Sequence, residues 1–199
     1  MTSSHSKAEI RSDGHRSTIK PAHMACARVS LVYGSGRRKG DLFIDDYIKT
    51  SEPVADYLTQ FSGVHPGDLD PGVSTKHLTT LKQTYCKIRA LELRGVVFVG
   101  HGLSKDFRVI NISPPVKQVI DTVLIYHIRG RRKISLKYLA WKVLGQRMQM
   151  SEFGHDSVED SRAALALYVL FAPYCVHKYE HSYQHHRVAV FQRQPLNFC

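Results

Sequence analysis

The clearest alternation of apolar and polar residues is Cys26-Ala-Arg-Val-Ser-Leu-Val-Tyr33, where Arg28 and Ser30 interleave with Val29 and Leu31. That period of two is the mark of a strand with one buried face. A glycine-rich turn, Gly34-Ser-Gly-Arg-Arg-Lys-Gly40, leads into Asp41-Leu-Phe-Ile-Asp-Asp-Tyr47, so the two segments predict a hairpin. Val96-Val-Phe-Val99 reads differently: four strand formers in a row predict a strand covered on both faces. Val119-Ile-Asp-Thr122 predicts one more short strand. Helical spacing appears in four places. Pro53 precedes Val54, Tyr57, Leu58 and Phe61. Leu78, Leu81, Tyr85, Ile88 and Leu91 form an apolar face stopped by Gly95. Ser135 caps a run carrying Leu136, Leu139, Ala140, Val143 and Leu144, ended by Gly145. The fourth is Ala163-Ala-Leu-Ala-Leu-Tyr-Val-Leu170. No such period organises either end. The pattern divides the chain into an irregular segment 1–25, a domain over 26–171 and an irregular tail over 172–199.

The last helix carries the most suggestive chemistry. Asp156 with Glu159 three residues later reads as a capping box, which starts the helix at Ser157 and leaves His155 in the loop just outside. Asp160 then falls in the first turn, on a stripe with Ala163, Ala164, Leu167 and Leu170. A carboxylate there either complements the helix dipole from solvent or meets something cationic at the core edge. The strand Val96–Val99 empties into Gly100-His-Gly-Leu-Ser-Lys-Asp106, and ligands of α/β sheets gather beyond the carboxyl ends of strands. Asp106 sits in that position, although Ser104 could also be capping a helix whose first turn favours an acid.

Composition adds a partner class. Among 199 residues, 28 Lys and Arg face 17 Asp and Glu, a net charge of +11 that suits a polyanion, nucleic acid before membrane. The basic runs Arg37-Arg-Lys39 and Arg129 to Lys133 are candidate phosphate contacts. The four cysteines form no Cys-x-x-Cys pair and read as thiols of a reducing compartment. His177, His181 and His185 near Cys175 have helical spacing but no paired Cys or acid to complete a metal site. No apolar run has a membrane-spanning length, and residues 1–25 lack a signal-peptide core, so a soluble intracellular chain is expected.

Two carboxylates, Asp106 and Asp160, thus stand at the ends of elements in an α/β layout, with His155 beside the second. Carboxylates so placed suit Mg²⁺ or Mn²⁺, a pair of such ions can activate water on a phosphodiester, and a nearby His can take the proton. The segments Gly100-His-Gly-Leu-Ser-Lys-Asp-Phe-Arg-Val-Ile-Asn111 and His155-Asp-Ser-Val-Glu-Asp-Ser-Arg-Ala-Ala164 resemble the second and third motifs of the DEDDh 3′→5′ exonucleases. More narrowly, Phe43-Ile-Asp-Asp-Tyr47, Pro66-Gly-Asp-Leu69, Lys76-His-Leu-Thr-Thr-Leu-Lys82 and Ile134-Ser-Leu-Lys-Tyr-Leu-Ala-Trp141 resemble the catalytic subunits of PAN-type poly(A)-specific deadenylases. The resemblance implies an α/β, ribonuclease-H-like mixed sheet flanked by helices. It implies Asp106 and Asp160 as metal ligands for Mg²⁺ or Mn²⁺, His155 as general base, and poly(A) RNA as substrate. It also implies a pseudokinase-like regulatory subunit as partner and a cytoplasmic place of work, mRNA decay granules included.

The resemblance also exposes a gap. The family's first motif, Asp-x-Glu on the first strand, belongs just before Glu9, where this chain has Met1-Thr-Ser-Ser-His-Ser-Lys-Ala8. The first, central strand is therefore expected to be lacking, leaving two strand edges unpaired inside the sheet and a metal site short of two carboxylates. Impaired catalysis follows, with a non-catalytic RNA-binding or assembly module, or a truncated fragment, as the alternatives.

Overall fold

The structure, a computed structural model, describes residues 7–10, 16–20, 23–50, 53–128, 130, 132–148, 156–175 and 188–198. In chain order the strands are β1 (Lys7–Ile10), β2 (Arg16–Lys20), β3 (His23–Tyr33), β4 (Leu42–Ile48), β5 (Val54–Asp56), β6 (Leu78–Thr79), β7 (Val97–Gly100), β8 (Val119–Asp121) and β9 (Val188–Phe198). The helices are α1 (Thr59–Ser62), α2 (Leu81–Leu93), α3 (Leu103–Ile110), α4 (Thr122–Ile125), α5 (Leu136–Leu144) and α6 (Ser157–Phe171). Among these residues no helix is long and apolar enough to cross a membrane.

β3 and β4 form the expected antiparallel hairpin, and β1 pairs with β2 in a small separate sheet. The main sheet runs β6-β4-β3-β9-β7-β8, with β5 pairing the far end of β9. Its centre is the last strand of the chain. β9 lies antiparallel to β3, from His23↔Phe198 to Tyr33↔Ala189, and parallel to β7, with Val97↔Val188 and Val99↔Val190. The sheet is therefore mixed, and the unpaired edges expected inside it do not occur, because β9 satisfies both.

Helices cover the two faces. On one, Ile88 of α2 and Leu103, Phe107 and Ile110 of α3 pack with Val29, Leu31, Phe98, Ala189 and Phe191. On the other, Val158, Ala164 and Leu165 of α6 pack with Val32, Val97, Val99, Val188 and Val190. Odd and even positions of β9 thus serve opposite layers, as a strand buried on both faces must. Close passage of β9 is written into two glycines. A Cβ on Gly34 would collide with the Val188 side chain, and one on Gly100 would stand 2.9 Å from the Phe191 carbonyl oxygen.

Three expectations change. Residues 1–25 and 172–199 are not irregular where described, since they contain β1, β2, the start of β3, and β9. β9 carries Gln192, Arg193, Gln194 and Pro195, a poor strand by local propensity. It forms because the open edges of β3 and β7 supply partners that propensity does not register. Pro195 stands where the β3–β9 register shifts between Cys26 and Arg28, the kind of irregular position at which a strand accepts proline. The helix expected after Pro53 is instead β5 followed by the single turn of α1, since Val54 pairs with Phe198 at the end of β9.

Candidate active site

α6 begins at Ser157 as expected, capped by Asp156 alone rather than by a capping box with Glu159. Asp156, extended at φ −93°, accepts a hydrogen bond from the Val158 N–H at 3.1 Å and caps the helix. Asp160 is in the first turn and only 8% exposed, above buried Ala163, Ala164 and Leu167; Leu170, at 47%, lies beyond the covered part of the stripe. The Ser161 hydroxyl turns back to the Ser157 carbonyl at 2.8 Å, so this buried turn keeps its polar groups paired. Asp160 is thus buried rather than turned to solvent.

The second carboxylate is set by the loop after β7. Gly102, at φ +84°, adopts a left-handed conformation that glycine accepts at no steric cost, and it is Gly102, not Ser104, that stands at the N-cap of α3. No side chain caps this end locally. Asp121, at the end of β8, reaches across to accept from the Gly102 and Leu103 N–H groups at 2.8 and 3.0 Å, and from Val123 at 3.0 Å. One carboxylate therefore caps α3 from the neighbouring strand and α4 from within its own. Asp106 follows in the first turn of α3 and is 8% exposed. The role of Asp121 was missed in the sequence, where it reads as one residue of a strand. An acid directly before the Thr122–Ile125 turn was the available signal.

His101 locks the same loop. Its Nε2 lies 3.0 Å from the Ile134 carbonyl, which can only accept, so Nε2 carries the proton. Nδ1 lies 2.8 Å from the Thr122 hydroxyl, which donates its own proton to the Gly100 carbonyl at 2.9 Å. Burial lowers the His101 pKa, against smaller opposing effects of the Ile134 carbonyl, Asp121 and Asp160. The ring is a neutral brace. A group whose folded pKa is depressed contributes stability above its unfolded value and loses it as pH falls. Stability should therefore decline as pH drops below about 6.5, and His101→Gln should flatten that part of a urea-midpoint-versus-pH curve; an unchanged slope contradicts the assignment.

A third cluster ties β3 to the head of α6. Arg28, only 8% exposed, donates from Nε and Nη2 to the two Asp45 oxygens at 2.7 and 3.0 Å, and from Nη1 to Asp156 at 3.0 Å. Its guanidinium stacks 4.9 Å from the Tyr47 ring centre. Burial works to lower the Arg28 pKa, but the bonds and charge of Asp45 prevail and raise it. Burial also pushes the Tyr47 hydroxyl up to about 12, with Arg28 pulling the other way. Next along β3, Ser30 donates to Asp45 at 2.8 Å and lies 2.5 Å from the Ser157 hydroxyl at the first residue of α6.

The structure thus brings Asp106 and Asp160 to one end of the sheet, with the charge of Asp160 felt at His101 in the loop that leads to Asp106. His155, together with His177, His181 and His185, lies outside the described residues. Among the described residues no three His, Cys, Asp or Glu side chains stand together as ligands for a metal ion. Two buried carboxylates supply too little charge and too few oxygens for a two-ion centre, so the described residues do not fit one.

Residues 13–168 match the sequence model of the exonuclease family. The chain belongs to that family. Exonucleases of this kind generally use divalent metal ions. The chain is 57% identical over 168 residues to the PAN2-PAN3 deadenylation complex catalytic subunit of Gallus gallus, covering 84% of this chain and 14% of that protein. To the Schizosaccharomyces pombe subunit it is 52% identical over 163 residues, 81% of this chain and 15% of that one. The chain spans about a seventh of the length of these relatives. Among solved structures, the Neurospora crassa Pan2 catalytic unit superposes with a TM-score of 0.72 at 47% identity, over 79% of this chain and 26% of that one. The Saccharomyces cerevisiae Pan2 module in complex with A7 RNA gives 0.69 at 40% identity, over 79% and 28%. These similarities bear out the ribonuclease-H-like reading of this exonuclease. The family match ends before β9 begins.

Proposed function

We propose that the chain is the nuclease domain of a poly(A)-removing 3′→5′ exonuclease, impaired in hydrolysis in this form. The observation that carries the reading is the high identity to deadenylase catalytic subunits over the segment that sets Asp106 and Asp160 at one end of the sheet. Supporting it are the likeness to a module solved with A7 RNA and the +11 charge, which favours a polyanion. In the reaction so proposed, water attacks the 3′-terminal phosphodiester, the bond to the preceding 3′ oxygen breaks, and adenylate leaves. Asp106 and Asp160 would hold Mg²⁺ or Mn²⁺ and His155 would take the proton of the water. Among the described residues the pair of carboxylates is too small a donor set for two ions, and this limits the chemistry rather than the binding. A pseudokinase-like subunit and a cytoplasmic setting complete the proposal.

One observation favours a second reading, a binding module without chemistry: no third acid joins the two aspartates among the described residues. Fluorescence anisotropy with oligoadenylate and oligocytidylate, alongside release of 3′-labelled adenylate in Mg²⁺, tests the proposal. The expected result is a salt-sensitive preference for oligoadenylate, with slow release that Asp106→Asn removes. Binding without preference and no release above the Asp106→Asn background would overturn it in favour of the module.

A further inference from the structure

Between Asp121 and Glu152 the chain carries seven Lys and Arg and not one Asp or Glu. Much of the +11 excess is therefore gathered on one stretch, whose longest described element is α5. That helix has two unlike sides. With 3.6 residues per turn, Leu136, Leu139 and Ala140 fall on one of them. Leu139 and Ala140 are buried there, and Ala140 packs with Ala163 and Met148 while Leu136 leans on the same cluster. Lys137, Tyr138, Trp141 and Lys142 take the other side, and all four are exposed. Tyr138 at 48% and Trp141 at 49% keep two large rings half in water, in edge contact with centres 5.9 Å apart. The Lys142 ammonium stands 4.9 Å from the centre of the Trp141 ring. Single exposed apolar residues are ordinary on a protein surface. A pair of adjoining rings between lysines, on a stretch without acids, is not.

The position of this face adds to its composition. The covered side of α5 meets α6 at Ala163, about one turn beyond Asp160. Just ahead of α5, the Ile134 carbonyl accepts from His101 in the loop that leads to Asp106. The open side of α5 therefore borders the end of the sheet that holds both aspartates. A polyanion that also carries flat, unpaired rings suits such a surface best. Single-stranded nucleic acid does so, since its phosphates attract lysines and its free bases stack on aromatic side chains with little regard to sequence. An acidic peptide would satisfy the lysines and leave the rings without a planar partner.

Resting on the exonuclease reading of the adjoining aspartates, we propose that the open face of α5 is a track for single-stranded RNA. Bases stack on Tyr138 and Trp141, while Lys133, Lys137 and Lys142 meet the phosphates. The track holds the strand beside the site without reading its sequence, so any preference for adenine arises elsewhere.

Trp141 is the only tryptophan in the chain, so its emission reads this face and no other. The full chain, without divalent ions so that nothing is cut, is titrated with oligoadenylate, with oligocytidylate and with an oligoadenylate–oligouridylate duplex. Both single strands should quench Trp141 at the same midpoint at which they raise fluorescence anisotropy. The duplex should leave the emission unchanged, because its bases already stack on one another. Tyr138→Ala/Trp141→Ala, folded by circular dichroism because both positions are exposed, should weaken binding about tenfold or more. Lys142→Gln should lower the slope of log affinity against log salt by about 0.7, the share of one phosphate contact on a single strand. Absence of binding, binding with Trp141 emission fixed, or equal binding by the folded double variant overturns the proposal. Quenching by polyglutamate but not by RNA overturns it too, in favour of an acidic protein partner. Failure of the exonuclease reading looks different. Quenching by single strands with no adenylate released in Mg²⁺ keeps the track and discards the chemistry, whereas release with Trp141 emission unmoved keeps the chemistry and discards the track.

Discussion

A chain ending at Arg187 should have no cooperative unfolding transition. The truncation removes Val188, Ala189, Val190 and Phe191, all at most 9% exposed and shared between both layers of the core. Burying a Val or Phe side chain is worth about 1.5–3 kcal/mol, so the side chains alone amount to much of the roughly 5–15 kcal/mol by which a domain is stable. The backbone loss is added to this. β3 and β7 would each present an unpaired edge in the middle of the sheet, and a buried unpaired amide or carbonyl costs about 1–3 kcal/mol. Circular dichroism during a urea titration checks this: a broad, sloping loss of signal is expected, and a sharp transition near that of the full chain would show that β9 is dispensable.

The second large effect is expected at Arg28. Arg28→Met keeps the apolar stem but leaves the Asp45 carboxylate without its two-pronged partner and frees Asp156 from β3. Removing one member of a buried ion pair costs about 3–5 kcal/mol. The Asp45 side chain is 24% exposed and that of Asp156 53%, so water softens the loss. A destabilisation of about 2–4 kcal/mol is the result to expect from the urea midpoint. Arg28→Lys should recover little of it, because a single ammonium cannot match the fork that engages both oxygens of Asp45. A change within about 0.5 kcal/mol would show that the cluster is only a surface network.

What was legible in the sequence was whatever local chemistry decides. Ser135 and Gly145 bound α5, Asp156 opens α6, and four consecutive strand formers gave β7. Asp106 and Asp160 were legible as candidates because each follows such a local signal. The remainder depended on partners distant in the chain. Thr80 with Gln83 caps α2 in a true capping box, which leaves Leu78 to β6 rather than to the helical face. Asp121 caps α3 across nearly twenty residues, which no local pattern reveals. β9 is the extreme case. Its polar run Gln192-Arg-Gln-Pro195 argues against a strand, and only the two edges left by β3 and β7 give it one. Open strand edges inside the sheet were expected, and the end of the chain fills that space instead.

The central claim is that the last strand is the middle of the sheet. Backbone hydrogen exchange resolved by residue tests it most directly. Val188 to Phe191 should exchange as slowly as Val97 to Val99 of β7, at rates set by global unfolding. If those amides instead exchange at the rate of an unstructured peptide while β7 stays protected, β9 is not in the sheet.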